Sequence, residues 1–193
     1  MYLNRFSHFP RLVHLANRVT HQLTILEVGS YTGSSLLAWD EASGKSANLI
    51  VIDSWHQYDV GDIPDSAAAM YDASLRFGKA ERMFWRNVEA AGLQPRLKVY
   101  KGDSRKLLPT LNETLVGRID LVFIDGDHRY DYVKVDIENS KPLIREEGIL
   151  CGDDYCIDEY PGVTKAVVEN FGYIWGRDGI WAVRKVDGDW KDV

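Results

Sequence analysis

The stretch Asp120-Leu-Val-Phe-Ile-Asp125-Gly-Asp127-His128-Arg-Tyr130 is the most informative part of this chain. A short apolar run inside it ends abruptly in two acids, a glycine and a histidine. A buried parallel strand of an α/β protein presents polar side chains at the mouth of a crevice in this way. A second apolar run, Gly148 to Gly152, ends in the same manner at Asp153 and Asp154. Carboxylates at the ends of two such strands predict a cation site.

The composition is that of an ordinary globular protein. The chain has 193 residues, enough for one domain with a buried core, and 45% of them are hydrophobic and 27% charged. The formal charge of −6 argues against nucleic acid as the main partner, because phosphate binding needs a basic surface. No apolar run is long enough to span a membrane, and the N-terminus lacks the apolar segment of a signal peptide. We therefore expect a cytoplasmic protein.

Strand and helix patterns alternate along the chain. Leu23–Gly29 and Asn48–Asp53 predict two buried strands joined by one helix, and further strands are predicted at 97–100, 119–124 and 149–151. Two apolar runs, 173–175 and 180–183, flank Gly176-Arg-Asp-Gly179 and predict an antiparallel hairpin, after which the polar tail should fray. We predict a single domain over residues 1–193 of the α/β class, with a Rossmann-like, doubly wound, seven-stranded sheet. It should be mostly parallel, with an antiparallel last strand pair.

The segment from residue 54 to residue 94 is longer than a plain connection between strand and strand. Trp55-His-Gln-Tyr58 is typical of a loop, and residues 65–92 predict a helix, broken near Gly78, with Asp65 as its N-cap. Long excursions beside a crevice are often lids, so we predict an inserted helical lid over residues 54–94. A structural helix pair on the face of the sheet is the alternative.

The turn Glu27-x-Gly29-x-x-x-Gly33 follows the first strand. Tyr31 stands where a dinucleotide-binding turn has its middle glycine, so the turn suits a ligand without a pyrophosphate. Glu27 could receive a cationic amine, and Asp53 could accept both hydroxyls of a ribose. Gly102-Asp103-Ser104 adds polar groups after the third strand. Together these features predict S-adenosylmethionine as the ligand.

The residues Leu26-Glu-Val-Gly-Ser-Tyr-Thr-Gly-Ser-Ser35 resemble the cofactor turn of the class I S-adenosylmethionine-dependent methyltransferases. They are most similar to the catechol and caffeoyl-CoA O-methyltransferase branch. The stretches 123–130, 136–139 and 148–155 resemble related enzymes that methylate sugars of macrolide and aminocoumarin antibiotics. The resemblance extends from about Leu23 to Val186, which is most of the chain.

The resemblance implies two adjoining sites at the strand ends. The residues it implies for cofactor binding are Glu27, Gly29, Ser30, Tyr31, Gly33, Ser35, Asp53, Asp103, Ser104 and Asp125. It also makes Asp125, Asp153 and Asp154 the ligands of a divalent cation, usually magnesium. Hard oxygen ligands with few nitrogen or sulfur neighbours agree with magnesium or calcium. Asp127 could replace Asp125 as ligand or could orient the substrate.

The base that removes the substrate proton is less well defined by the sequence. His128 lies three residues beyond Asp125, where catechol-type relatives have a lysine thought to take this proton, and a neutral histidine can do the same. His128 could instead be a hydrogen-bonding or stacking group, and His56 is a second candidate base.

Aromatic residues near the strand ends and in the predicted lid could line the pocket for a ring-shaped acceptor. These are Trp55, Tyr58, Tyr130 and Tyr155. The other tryptophans that we assign, Trp39, Trp85, Trp175 and Trp181, are expected in the core.

The sequence therefore predicts an S-adenosylmethionine-dependent, divalent-metal-assisted O-methyltransferase with Asp125 and His128 at its catalytic centre. Its acceptor would be a small molecule with a hydroxyl beside another oxygen, such as a phenol or a sugar, and a homodimer is compatible with the family. The alternatives are a metal-independent methyltransferase, a non-catalytic cofactor-binding or interaction domain, and an oxygenase. The oxygenase reading ranks low because a His-x-Asp…His triad is missing.

Overall fold

The computed structural model describes residues 5–17, 21–56 and 78–193. The α-helices in these ranges are α1 (Phe9–Ala16), α2 (Ser34–Ala42), α3 (Lys79–Ala91), α4 (Ser104–Leu115), α5 (Tyr130–Ser140) and α6 (Pro161–Phe171). The strands are β1 (Thr24–Val28), β2 (Asn48–Asp53), β3 (Leu97–Lys101), β4 (Ile119–Ile124), β5 (Ile144–Gly152), β6 (Gly176–Arg177), β7 (Ile180–Val186) and β8 (Asp189–Asp192). Short 3-10 turns lie at Arg5–His8, Gln94–Arg96 and Lys141–Leu143.

The strands form one twisted sheet in the order β3-β2-β1-β4-β5-β7-β6, and β8 pairs with β7 beside β6. The first five strands run parallel to their neighbours, whereas β7 is antiparallel to β5, β6 and β8. The strand order reverses between β1 and β4, which is where a doubly wound sheet opens its ligand crevice. The predicted Rossmann-like, mostly parallel sheet with an antiparallel end is confirmed, and it has an eighth strand.

The antiparallel end of the sheet differs from the prediction in two details. Asp178 and Gly179 have φ angles of 54° and 85°, so a two-residue turn of left-handed residues joins β6 to β7. The first strand of the hairpin is therefore Gly176–Arg177, and the prediction of residues 173–175 as that strand was wrong. Asp187 and Gly188 make the same kind of turn, with φ angles of 54° and 81°, and fold the tail back as β8. The prediction that the tail frays was also wrong.

Apolar side chains fill both faces of the sheet, as two helical layers require. Trp39 and Trp181 are fully buried, as predicted. Trp85 is 44% exposed and Trp175 is 75% exposed, so their assignment to the core was wrong. Trp85 follows the buried Phe84 on α3 and therefore points to another side of the helix, and Trp175 stands at the edge of the sheet just before β6.

The end of the sheet opposite the crevice is fixed by a buried acid. Asp120, at the start of β4, accepts hydrogen bonds from the backbone N–H of Thr24 (2.7 Å) and from the guanidinium of Arg145. Arg145 also donates to the carbonyl of Ala16 (2.6 Å), where α1 ends. The acid that opens the decisive stretch is therefore structural and docks α1 on the sheet.

The predicted lid is described in part. Residues 57–77, which include Tyr58 and Asp65, lie outside the described residues, and the assignment of 54–94 as a lid stays a prediction. The described part, α3, packs against the glycine turn after β1. A Cβ atom on Gly33 would lie 3.2 Å from the ring of Phe84, and the amide of Asn87 donates to the carbonyl of Thr32 (2.9 Å). None of the helices within the described ranges is long and apolar enough to cross a membrane.

Candidate active site

The glycine turn after β1 lies directly against the turn after β4. Gly29 has a φ of +82°, and a Cβ atom there would stand 2.2 Å from the carbonyl oxygen of Asp125. This position requires glycine both for its conformation and for its space. Tyr31 is also left-handed, with a φ of 52°, which costs a residue with a side chain some strain. The predicted cofactor turn and the first predicted metal ligand are therefore in backbone contact.

Glu27 lies beneath this turn and is 1% exposed. Its carboxyl accepts hydrogen bonds from the hydroxyls of Ser30 (2.9 Å) and Ser35. Burial raises the pKa of Glu27 to about 8, with smaller contributions from the charges of Asp125 and Asp53, and the two serine hydrogen bonds oppose the shift. Glu27 is thus mostly protonated at neutral pH, and a cationic group arriving beside it would favour its ionised form.

Asp53, at the end of β2, holds the glycine turn by its backbone. Its Oδ2 accepts the N–H groups of Ser30 and Tyr31, each at 2.8 Å, and its Oδ1 accepts that of Trp55 at 2.7 Å. Burial raises the pKa of Asp53, and these three hydrogen bonds oppose the rise. The indole of Trp55 donates to the carbonyl of Tyr31 (2.7 Å) and packs beside Phe84. Trp55 is therefore part of the turn, and its assignment to an acceptor pocket was wrong.

The turn after β3 has its side chains engaged within the protein. Asp103 is the N-cap of α4 and accepts the backbone N–H of Arg105 at 3.0 Å. It also pairs with the guanidinium of Arg105 at 2.7 Å, and this hydrogen-bonded pair lowers the pKa of Asp103. The hydroxyl of Ser104 opposes the rise that burial causes in the pKa of the Asp136 carboxyl on α5. Part of the backbone of this turn is engaged as well, because the N–H of Gly102 donates to the carbonyl of Asp53 (2.9 Å) and the carbonyl of Asp103 accepts from Lys106 and Leu107.

The turns after β4 and β5 bring Asp125, His128 and Asp154 together. Each offers a ligand atom, and these atoms lie within 4.8 Å of one another. Nε2 of His128 is 2.7 Å from Oδ2 of Asp154 and 3.7 Å from Oδ1 of Asp125. Burial alone would lower the pKa of His128, but its hydrogen bonding and charge interactions with the two acids outweigh this and raise the pKa to about 10. In this state the imidazolium is the positive charge between two carboxylates.

Two neighbouring acids have other contacts. Asp153 is 4% exposed, and its Oδ1 accepts the backbone N–H of Asp154 at 2.9 Å. Asp127 forms a double hydrogen bond with the guanidinium of Arg129, with the shorter distance 2.6 Å. The geometry therefore groups Asp125, rather than Asp127 or Asp153, with His128 and Asp154.

The aromatic residues near the cluster do not all have the predicted role. Tyr155 is 3% exposed and donates its hydroxyl to the carbonyl of Ile174, so its assignment to an open pocket was wrong. The hydroxyl of Tyr130 donates to Glu169 on α6. Tyr160, which the sequence prediction missed, stacks on the ring of His128 with centroids 4.3 Å apart. Its position just before Pro161, the first residue of α6, was the available signal. His56 is exposed and has no described contact with the cluster.

The donor set of the cluster fits a divalent cation. Two carboxylates and an imidazole converge, and Nε2 of His128 is buried without a well-aligned hydrogen-bond acceptor in the described part of the chain. Asp154 adopts a left-handed conformation with a φ of 60°, which costs a residue with a side chain some strain. Carboxylate oxygens suit magnesium or manganese, whereas an imidazole ligand suits zinc, iron and other transition metals, so a magnesium ion would use the acids and leave His128 outside its ligand set.

Comparison with known proteins identifies the family. Residues 26–155, which contain the glycine turn and both acidic turns, match a protein family described as a methyltransferase domain. The chain belongs to this methyltransferase family. A viral relative, described as "Uncharacterized protein R132" of Acanthamoeba polyphaga mimivirus, is 30% identical over 149 residues, which are 77% of this chain. The match spans 59% of the length of that relative.

Solved methyltransferase structures share the fold. The O-methyltransferase NovP is 21% identical with a TM-score of 0.67, over 94% of this chain and 79% of NovP. CalS11, described as a TDP-rhamnose 3'-O-methyltransferase of calicheamicin biosynthesis, is 18% identical with a TM-score of 0.61, over 95% of this chain and 79% of CalS11. The prediction of a class I methyltransferase is confirmed at the level of family and fold.

Proposed function

We propose that this methyltransferase transfers the methyl group of S-adenosylmethionine to a hydroxyl oxygen of a small molecule, with the help of a divalent cation. One observation carries the proposal: the glycine turn of β1 touches the turn that presents Asp125 to His128 and Asp154. A cofactor on the first turn and an acceptor at the cluster would thus be neighbours. The names of NovP and CalS11 support an oxygen as the methyl acceptor.

The cofactor would be held at the ends of β1, β2 and β3. Glu27 lies beneath the glycine turn, where the cationic amine of the cofactor would favour its charged form. Asp53 accepts three backbone N–H groups, two of them from the turn, and its Oδ1 retains one lone pair for a ribose hydroxyl. The further cofactor-binding residues that we propose are Gly29, Ser30, Tyr31, Gly33, Ser35, Asp103, Ser104 and Asp125.

The cation would be held by Asp125 and Asp154, with Asp153 as a third ligand after a change of its side-chain rotamer. A bound cation lowers the pKa of a coordinated hydroxyl and fixes its orientation. His128 then has two successive tasks. It neutralises the carboxylates when the site holds no metal, and it takes the proton of the acceptor hydroxyl once positive charge nearby has lowered its own pKa.

The reaction would be a single displacement. The acceptor hydroxyl gives its proton to His128, its oxygen forms a bond to the methyl carbon, and the carbon–sulfur bond breaks to leave S-adenosylhomocysteine. Alignment of the oxygen with the methyl carbon is the main contribution that the fold can make, since orienting two reactants is worth about 7–11 kcal/mol. Closure of the segment 54–94 would exclude water and select the acceptor.

A metal-independent methyltransferase is a second candidate, favoured by the charge of His128. The imidazolium already neutralises the charges of Asp125 and Asp154. The cluster could then be a structural ion pair, and a base that needs no cation could remove the proton of the acceptor. A non-catalytic cofactor-binding domain would use Glu27 and the glycine turn in the same way, but it would transfer no methyl group to any acceptor.

The proposal is tested by methyl transfer from radiolabelled S-adenosylmethionine to a panel of catechols, sugar diols and hydroxy acids, with magnesium or with a chelator. We expect transfer to a member of the panel that has adjacent oxygens, and at least about tenfold less transfer with the chelator. Equal rates in both conditions would favour the metal-independent enzyme. If S-adenosylmethionine does not bind at all, the proposal is wrong.

A further inference from the structure

One face of α5 packs against two turns of the proposed site, the turn after β3 and the turn after β4. Tyr132 and Asp136 are four residues apart on this helix, so they lie on the same side of it. The ring of Tyr132 contacts one arginine from the turn after β3 and one from the turn after β4. The carboxyl of Asp136 faces the same two turns. Neither residue belongs to the predicted cofactor or metal ligands.

Tyr132 is the common contact of two ion pairs. The guanidinium carbon of Arg105 lies 3.8 Å from the centre of its ring, and that of Arg129 lies 4.0 Å from it. Arg105 is paired with Asp103 in the turn after β3, and Arg129 is paired with Asp127 in the turn after β4. Stacking of cations on one ring is favourable, and it links the two turns through a single side chain.

Asp136 makes the second link, one helical turn further along α5. It is 1% exposed, and burial raises its pKa to about 7 while the hydroxyl of Ser104 at the start of α4 opposes the rise. Its Oδ1 has no hydrogen-bond partner among the residues that the structure describes. Its Oδ2 would be 3.9 Å from a Cβ atom on Gly126, between the acids of the turn after β4. A buried carboxyl with an unused oxygen is costly to keep, which indicates a role beyond packing.

We propose that Tyr132 and Asp136 are positioning residues that fix the distance between the cofactor turn after β3 and the metal-binding turn after β4. This inference rests on the proposed function, because it concerns how the two ligands of that site meet. The pair contacts neither ligand. Removing it would leave both sites able to bind but would displace the methyl group of the cofactor from the cation and hence from the acceptor oxygen.

The distance between the two ligands can be measured without knowing the acceptor. S-adenosylmethionine labelled with ¹³C on its methyl group is bound to the full chain, and Mn²⁺ is added in place of Mg²⁺. The paramagnetic ion then enhances the relaxation of the methyl carbon with a steep inverse dependence on their separation. Asp136→Leu removes the buried carboxyl, and Tyr132→Leu removes the ring that stacks on the two arginines. The conservative variants are Asp136→Asn, which keeps a polar side chain, and Tyr132→Phe, which keeps the ring. Glu138→Leu, an exposed position on α5, is the matched control.

The wild type, the two conservative variants and the control should show the same strong enhancement at saturating cofactor and Mn²⁺. In Asp136→Leu and Tyr132→Leu the enhancement should fall about twofold or more, because it varies with the inverse sixth power of the distance and a displacement of about 1 Å, the scale that matters for alignment, changes it by such a factor. An unchanged enhancement in both leucine variants would overturn the inference, and so would an equal fall in Glu138→Leu. Failure of the wild type to bind the cofactor would instead contradict the proposed function. Binding of the cofactor without any effect of Mn²⁺ would contradict the metal site and this inference with it.

If Asp136→Leu fails to fold, Tyr132→Leu decides the question, because Tyr132 is only half-buried and its ring can be lost with less disturbance of the core. A merely structural role predicts a lower melting temperature at an unchanged methyl-to-metal distance, which the same samples distinguish.

Discussion

Nε2 of His128 lies 2.7 Å from Oδ2 of Asp154, across the gap between the turns after β4 and β5. The ring thereby joins the ends of two adjacent strands, where Ile124 of β4 is paired with Gly152 of β5. Its positive charge stands where a cation would bind, so the metal-free protein has its own counter-ion for the acidic cluster.

Replacement of this counter-ion should destabilise the metal-free protein. In His128→Gln, Asp125 and Asp154 face each other without a positive neighbour, and we expect a loss of about 1–3 kcal/mol of unfolding free energy. Magnesium should restore part of this loss. Urea unfolding with and without magnesium measures both effects. His8→Gln, which removes a histidine paired with the exposed Asp178, is the control and should change little. Equal stability of the two variants would contradict the role of His128.

The buried Glu27 predicts a dependence of stability on pH. Its pKa in the folded protein is raised from 4.5 to about 8. A raised folded-state pKa contributes stability that is complete below the unfolded-state value and is lost as the pH rises through the folded-state value. The unfolding free energy of the cofactor-free protein should therefore fall between about pH 4.5 and pH 8, and Glu27→Gln should flatten this part of the profile. A profile that Glu27→Gln leaves unchanged would show that this carboxyl ionises freely.

Gly29→Ala should destabilise the protein by more than the cost of placing an alanine in a left-handed conformation. The added methyl group would stand 2.2 Å from a backbone oxygen, so the β1 and β4 turns have to move apart. Gly92→Ala, at a φ of +66° with open space around it, isolates the cost of the left-handed conformation, about 1–2 kcal/mol. We expect a larger loss of stability in Gly29→Ala and at least about tenfold weaker binding of S-adenosylhomocysteine. Similar behaviour of the two variants would contradict the close approach of the turns.

The contact between α3 and the glycine turn should contribute to cofactor binding. Asn87→Ala removes the hydrogen bond to the carbonyl of Thr32, which is worth about 1 kcal/mol, or about a fivefold change in affinity. Glu89→Ala, an exposed position on the same helix, should leave the affinity unchanged. Calorimetric titration with S-adenosylhomocysteine measures both. An unaffected Asn87→Ala would mean that α3 supports the fold but not the cofactor.

Much of the site could be predicted because its residues stand at the ends of buried strands. The runs before Glu27, Asp53 and Asp125 are apolar enough to define β1, β2 and β4, and parallel strands bring such ends to one edge. What the sequence could not provide was the pairing of side chains. Asp127 and Asp103 each pair with the arginine two residues later in the chain, and Asp125 interacts with His128. These pairings depend on side-chain rotamers and on the balance of charge between turns that are distant in the sequence.

The errors at the antiparallel end have a similar cause. Asp178-Gly179 and Asp187-Gly188 are both two-residue turns that reverse the direction of the chain. Because Gly176 lies close to the first turn, the sequence predicted a wider turn there. Because the tail is polar, the sequence did not predict β8. Trp85 and Trp175 show that aromatic character alone does not predict burial, because burial depends on the helix face or sheet edge on which the residue lies.

In the proposed site, one crevice binds the methyl donor beside a cation held by the acids after β4 and β5. This arrangement is tested by calorimetric titration of the wild type, Asp154→Asn and Asp153→Asn with S-adenosylhomocysteine, each with and without magnesium. We predict that the wild type binds the nucleoside, that magnesium strengthens this binding by about fivefold or more, and that Asp154→Asn retains binding but loses the magnesium effect. Asp153→Asn should lose the effect only if Asp153 is the third ligand. A wild type that does not bind S-adenosylhomocysteine would contradict the proposed function, and binding that magnesium leaves unchanged would contradict its metal-assisted form.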